Sequence, residues 1–226
     1  MLVQRRCLPL LFVGMLFATF ASVSASENSS VSKVALSSME THVETMMHAA
    51  LAHDLEALQK IDKKIEKDIA QLHEGLQGQA FNERRSRELL MAYSWARVIS
   101  IDIGQQAWVG VAIAANQLSA SIFRFTNYPS LQQRDTAWMG YLSRELLLLN
   151  MEDPKLNAEL LNTRSTDLNS TWQRVSGEII KDFRNKPRVI EGNHLMLELG
   201  AAHKPSQVIS LAKKMLVFVN KIKNLQ

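Results

Sequence analysis

Cysteine is nearly missing from this chain: of its 226 residues only Cys7 carries a thiol. That absence excludes a disulfide-stapled scaffold, a Cys-x-x-Cys-His haem attachment, a cysteine-rich zinc site and, past the N-terminus, a thiol nucleophile. Five prolines and nine glycines are too few for a collagen-like or low-complexity chain. With 46% hydrophobic and 21% charged residues, intrinsic disorder is excluded as well. No stretch alternates apolar and polar residues with period two, so no strand is expected.

Enzyme motifs are equally scarce. There is no Gly-x-Ser-x-Gly elbow, no His-Glu-x-x-His, no phosphate-cradling glycine loop and no paired Glu-x-x-His of a di-iron bundle. Nothing concentrates an acid, a base and a nucleophile, so the reading is a non-catalytic protein. A formal net charge of +4 gives no nucleic-acid signature either.

What is present begins with residues 1–25. Arg5 and Arg6 precede an uncharged apolar stretch from Cys7 to Phe20, and Val23-Ser24-Ala25 supplies small residues, the pattern of a signal peptide cut after Ala25. Cys7 leaves with it. The remaining 26–226 reads as one thiol-free domain, which suits a bacterial periplasm better than a compartment where secreted domains carry disulfides. Its charge is uneven: residues 26–80 carry five basic and nine acidic groups, residues 171–226 ten and four. Such ends attract if the first and last helices lie side by side.

Periodicity makes the domain all-α. From Leu36 to Leu76 apolar residues recur in steps of three, four and seven, which predicts one long amphipathic helix, with Ser37 and Glu40 as its capping box and Gly75 and Gly78 at its end. From Glu83, behind the N-cap Asn82, to Thr126 the chain is apolar on nearly every side and contains no proline, predicting a single buried central helix. Ser130 opens another to about Met151, Asp153-Pro154 a fourth from Lys155 to about Phe183, and Pro205 the last. The segment 185–203, holding Pro187, Gly192 and Gly200, reads as a short helix or loop pair. The expected architecture is a bundle of about four long helices plus a short fifth element.

Four features carry candidate chemistry. Met39, His42, Met46 and His53 fall in one sector of the first helix, and thioethers with imidazoles are the ligands left for Cu(I) where no thiol exists. Arg97 and Asp102 lie in the most apolar helix and need partners, while Asn116 and Gln117 offer hydrogen bonds there to a small ligand or protein partner. The 21 uncharged residues from Ile103 to Phe123 are long enough to span a bilayer, but their Gln, Asn and Ser content favours a protein interior. Finally, Lys213, Lys214, Lys221 and Lys223 form a basic face on the C-terminal helix suited to contact with a membrane surface. The sum is an exported helical-bundle binding protein, with copper binding as the alternative.

Overall fold

The computed structural model describes the backbone of residues 20–77, 79–223 and 225, and side chains from Lys33 onward. The expected signal segment lies largely outside these described residues. Eight α-helices follow one another, with no strand among the described residues: α1 Phe20–Leu51, α2 Leu55–Leu76, α3 Glu83–Gln105, α4 Trp108–Phe125, α5 Leu131–Glu152, α6 Ala158–Ile179, α7 Lys186–Gly200 and α8 Pro205–Lys223. A 3-10 turn, Phe183–Asn185, leads into α7.

The count of four long helices is corrected because both of the longest expected helices are broken. The break after α1 is a Schellman turn: His53 takes a left-handed φ of 57°, its N–H donates to the Ala50 carbonyl, and the Asp54 N–H donates to Ala49 O at 2.9 Å. The break after α3 repeats it. Gln106 has φ 54°, donates to Ile103 O, and the Ala107 N–H donates to Asp102 O at 2.9 Å. Left-handed backbone costs a residue with a Cβ about 1 kcal/mol, so glycine is its usual marker, and neither position has one. What outweighs the cost is packing. A 44-residue helix would extend about 66 Å, twice the length of its 22-residue neighbours, leaving half its apolar surface in water.

Other local signals hold. Asn82 accepts from the Arg85 N–H and Ser130 from the Gln133 N–H, capping α3 and α5 as expected. Asp153 caps a turn by accepting from Lys155 and Leu156, and α6 starts three residues later than expected. Ser37 and Glu40 are no capping box, since α1 is already helical well before them.

The helices close into two rings. Within α1–α4, each helix packs against the next and α4 returns to α1; within α5–α8 the same holds, α8 returning to α5. Each ring has its own apolar core. The first holds Met39, Val43, Leu58, Ile65, Ile69, Leu72, Ile99 and Leu118; the second holds Met139, Leu142, Leu146, Trp172, Phe218 and Val219. Each such fully buried aliphatic side chain contributes roughly 1.5–3 kcal/mol.

In the second ring Gly192 sits inside α7 rather than breaking it. A Cβ there would lie 2.2 Å from Trp172 Cζ2, so the missing side chain is what admits the indole, whose Nε1 donates to Asn193 Oδ1 at 2.8 Å. Residues 186–200 therefore form one helix held by Trp172.

The rings meet along α4 and α5. These, not the expected Glu83 to Thr126 helix, are central: α5 is buried at every position from Met139 to Asn150. No helix of the described residues is long and apolar enough to cross a membrane.

Candidate functional site

Between two apolar cores the α4–α5 seam is polar, and its centre is Arg144. The side chain enters from α5 and is almost wholly buried. Its Nε donates to Asn116 Oδ1 at 3.0 Å, Nη2 to Ser119 Oγ at 2.8 Å and Nη1 to Glu44 Oε1 at 3.2 Å. Glu40 stands 3.6 Å from Nη2 and accepts from the Ser119 hydroxyl. One guanidinium thus ties α1, α4 and α5 together, with three of its five N–H groups hydrogen-bonded and two carboxylates beside it, the pairing a buried cation requires.

Beside it on the seam, at the next residue of each helix, Gln117 donates to Glu145 Oε1 at 3.3 Å and accepts from the Tyr141 hydroxyl at 3.4 Å. Glu145 in turn meets Arg164 of α6, Nε to Oε2 at 2.8 Å, a close charge contact without hydrogen-bond alignment. Ser121 Oγ is buried nearby in the chain with no hydrogen-bond partner among the described residues.

The electrostatics follow from this crowding. Burial pushes the Glu40 carboxyl above its ordinary value, Arg144 pulls it back, and Glu44 adds to the rise. The charge of Lys223 at the end of α8 also pulls it back. Burial, with the Glu40 charge, pushes the Tyr128 phenol up to about 12. Tyr141 is raised further by burial and by Glu145.

Asn116 and Gln117 are therefore at the seam, but their polar groups serve this internal network. Arg97 and Asp102 are not there at all. Arg97 is exposed on α3, and Asp102 stands at the α3 end, its Oδ2 only 2.7 Å from where a Gly110 Cβ would be. The two charges are not buried in a central helix: α3 lies at the rim, Arg97 is exposed, and Asp102 is half-buried, its carboxyl raised above the ordinary value by burial.

The Met/His sector is also redistributed. Met39 and Met46 are fully buried in the first core. His42 gives Nδ1 to Asp68 Oδ2 at 2.6 Å. His53, beyond the end of α1, has left the helical sector and stacks on Trp108. The sector assumed an uninterrupted helix, and the turn at His53 removes that premise. Among the described residues no three of His, Cys, Asp or Glu converge as metal ligands.

The Ser38, His42 and Asp68 cluster resembles a catalytic relay only in composition. The Ser38 hydroxyl donates to Asp68 Oδ1 and lies on the Nδ1 side of the ring, 3.5 Å away, whereas a nucleophile needs the opposite nitrogen, Nε2.

The residues that organise the seam, Arg144, Glu145, Glu40, Glu44, Ser119 and Arg164, were not among the candidates. A signal existed: Arg144-Glu145 interrupts an otherwise apolar run ending in Leu146-Leu147-Leu148-Leu149. Comparison with protein families, curated proteins and solved structures returns no match for this chain.

Proposed function

We propose that this protein is an exported helical-bundle binding protein of the periplasm, without a catalytic step, that holds a protein partner on the outward face of α3. The observation that carries this reading is the apolar surface left on that helix. Leu90 is 66% and Ile101 48% exposed, with Met91, Tyr93 and Val98 beside them. α3 is packed on one side only, against α2 and α4, so these apolar side chains are left facing outward.

Arg84, Arg87 and Arg97 are exposed on the same helix and make no ion pair among the described residues. The partner that fits is a protein segment with an apolar stripe flanked by acidic side chains, the arrangement of a helix docking on a helix. A ligand inside the bundle is less well supported, because the polar groups of the seam bind one another. No observation favours the copper reading over this one.

The test is a photo-crosslinking residue placed at Leu90 or Ile101 in exporting cells, with Lys64 on the exposed side of α2 as the control position. A discrete cross-linked protein from α3 alone supports the reading. Leu90→Glu with Ile101→Glu should abolish it while changing stability by no more than about 0.5 kcal/mol, as expected of surface positions. Equal labelling from all three positions, or none, overturns it.

A further inference from the structure

The second ring carries a different unpartnered surface. Phe183, Ile190 and Leu197 follow one another at seven-residue intervals and are 77%, 60% and 74% exposed. They form a row along the outer side of α7 and the turn before it, Ile190 and Leu197 about 10 Å apart on the α7 axis and Phe183 beside Ile190 in the turn. Val217 of α8 joins them: it lies between Lys214 and Lys221, which bridge to Glu198 and Glu191 of α7 and so bring that side of α8 next to the row.

The charge around the row is predominantly positive. Residues 180–223 contain nine basic and three acidic side chains. All three acids are already matched, Asp182 by Arg184, Glu191 by Arg188 and Lys221, and Glu198 by Lys214 and His194. Lys186, Lys204 and Lys213 are exposed with no ion pair among the described residues. At the head of the row Phe183, Pro187 and Ile190 line a shallow groove with Arg184 and Lys186, and the Lys186 ammonium stands 5.5 Å from the Phe183 ring centre.

We infer that this face of the second ring lies on an anionic lipid surface, with Phe183, Ile190 and Leu197 entering between headgroups and the free lysines facing lipid phosphates. Isolated apolar side chains spaced along a helix, with polar Asn193 and His194 between them, suit the loose interior of a headgroup layer better than a packed protein seam. A second copy is disfavoured by symmetry, since an isologous contact sets this basic face against itself. An anionic bilayer offers the complementary charge without demanding a matching shape. This goes beyond the partner reading of α3, which concerns the other ring.

The test is sedimentation of the full exported protein with vesicles of phosphatidylglycerol mixed into phosphatidylcholine, against phosphatidylcholine alone. The expected result is binding to the anionic vesicles only, weakened by salt. The triple variant Phe183→Ser, Ile190→Ser, Leu197→Ser should lower the bound fraction at least tenfold while keeping the helical circular dichroism of the parent. Lys186→Glu should weaken binding without any loss of apolar surface. No binding to anionic vesicles, or binding that the triple variant retains, overturns the inference. Self-association without vesicles that the triple variant abolishes also overturns it, in favour of an interface between copies. None of these outcomes touches crosslinking from Leu90 or Ile101, so the two proposals fail separately.

Discussion

His53 and Trp108 stack ring on ring, with centroids 5.1 Å apart and planes 16° from parallel. His53 is the left-handed residue of the α1–α2 turn, and Trp108 opens α4 two residues after the left-handed Gln106. Two turns remote in sequence are thereby clasped at one end of the first ring, and each gives the other's backbone a fixed place.

The two left-handed positions differ in what a glycine would remove. Gln106 is exposed and makes no side-chain hydrogen bond among the described residues, so Gln106→Gly should relieve backbone strain and stabilise the fold by about 1 kcal/mol. His53→Gly should gain less, because it also loses the stacked ring. Urea denaturation of the two variants measures the difference.

Gly192→Ala should be among the more damaging single-methyl changes available. The added carbon meets Trp172 at 2.2 Å, and the indole is fully buried with no room to retreat. A loss of about 3 kcal/mol, at the upper end of overpacking costs, and a changed near-ultraviolet dichroism from Trp172 are expected. Gly177→Ala is the contrast: it is helical with nothing within 4 Å of the new methyl, and should stabilise by about 0.5–1 kcal/mol.

Arg144→Met removes the guanidinium shared by Asn116, Ser119, Glu40 and Glu44. Leaving the buried Asn116 and Ser119 unmatched, while water still reaches the half-exposed Glu40 and Glu44, should cost about 2–3 kcal/mol. Adding Glu40→Gln should recover a coupling on the order of 1 kcal/mol, measurable as a double-mutant cycle by chemical denaturation.

Glu40 also predicts a pH dependence. Its carboxyl is raised in the folded protein from an ordinary value near 4.5, so the folded state binds that proton more tightly than the unfolded state. The stability it contributes is whole below pH 4.5 and is lost as pH rises through the higher folded value. Melting temperatures of the parent and of Glu40→Gln, taken from acid to neutral pH, should converge in slope once that range is passed; identical slopes throughout would refute the assignment.

Much of the fold is legible along the chain because its signals are local. Asn82 and Ser130 cap helices through their own side chains, Pro205 opens α8, and apolar spacing marks the buried faces of α2 and α6. The turns at His53 and Gln106 are not legible, since a Schellman turn closed without glycine leaves no residue-type mark. The pairing of Asn116 with Arg144 spans 28 residues, and that of Glu44 with Arg144 spans 100, beyond any periodicity.

The helical class is written in the amino-acid order, through its period and the lack of any alternating run, and so is the basic surplus near the C-terminus. That the helices close into two rings, that α4 and α5 rather than α3 lie at the centre, and that Arg144 is the buried cation of the seam emerge from packing alone. Helix formation depends on neighbours within one or two turns. Burial and charge pairing depend on which helices meet, and that is settled by the packing of whole faces against one another.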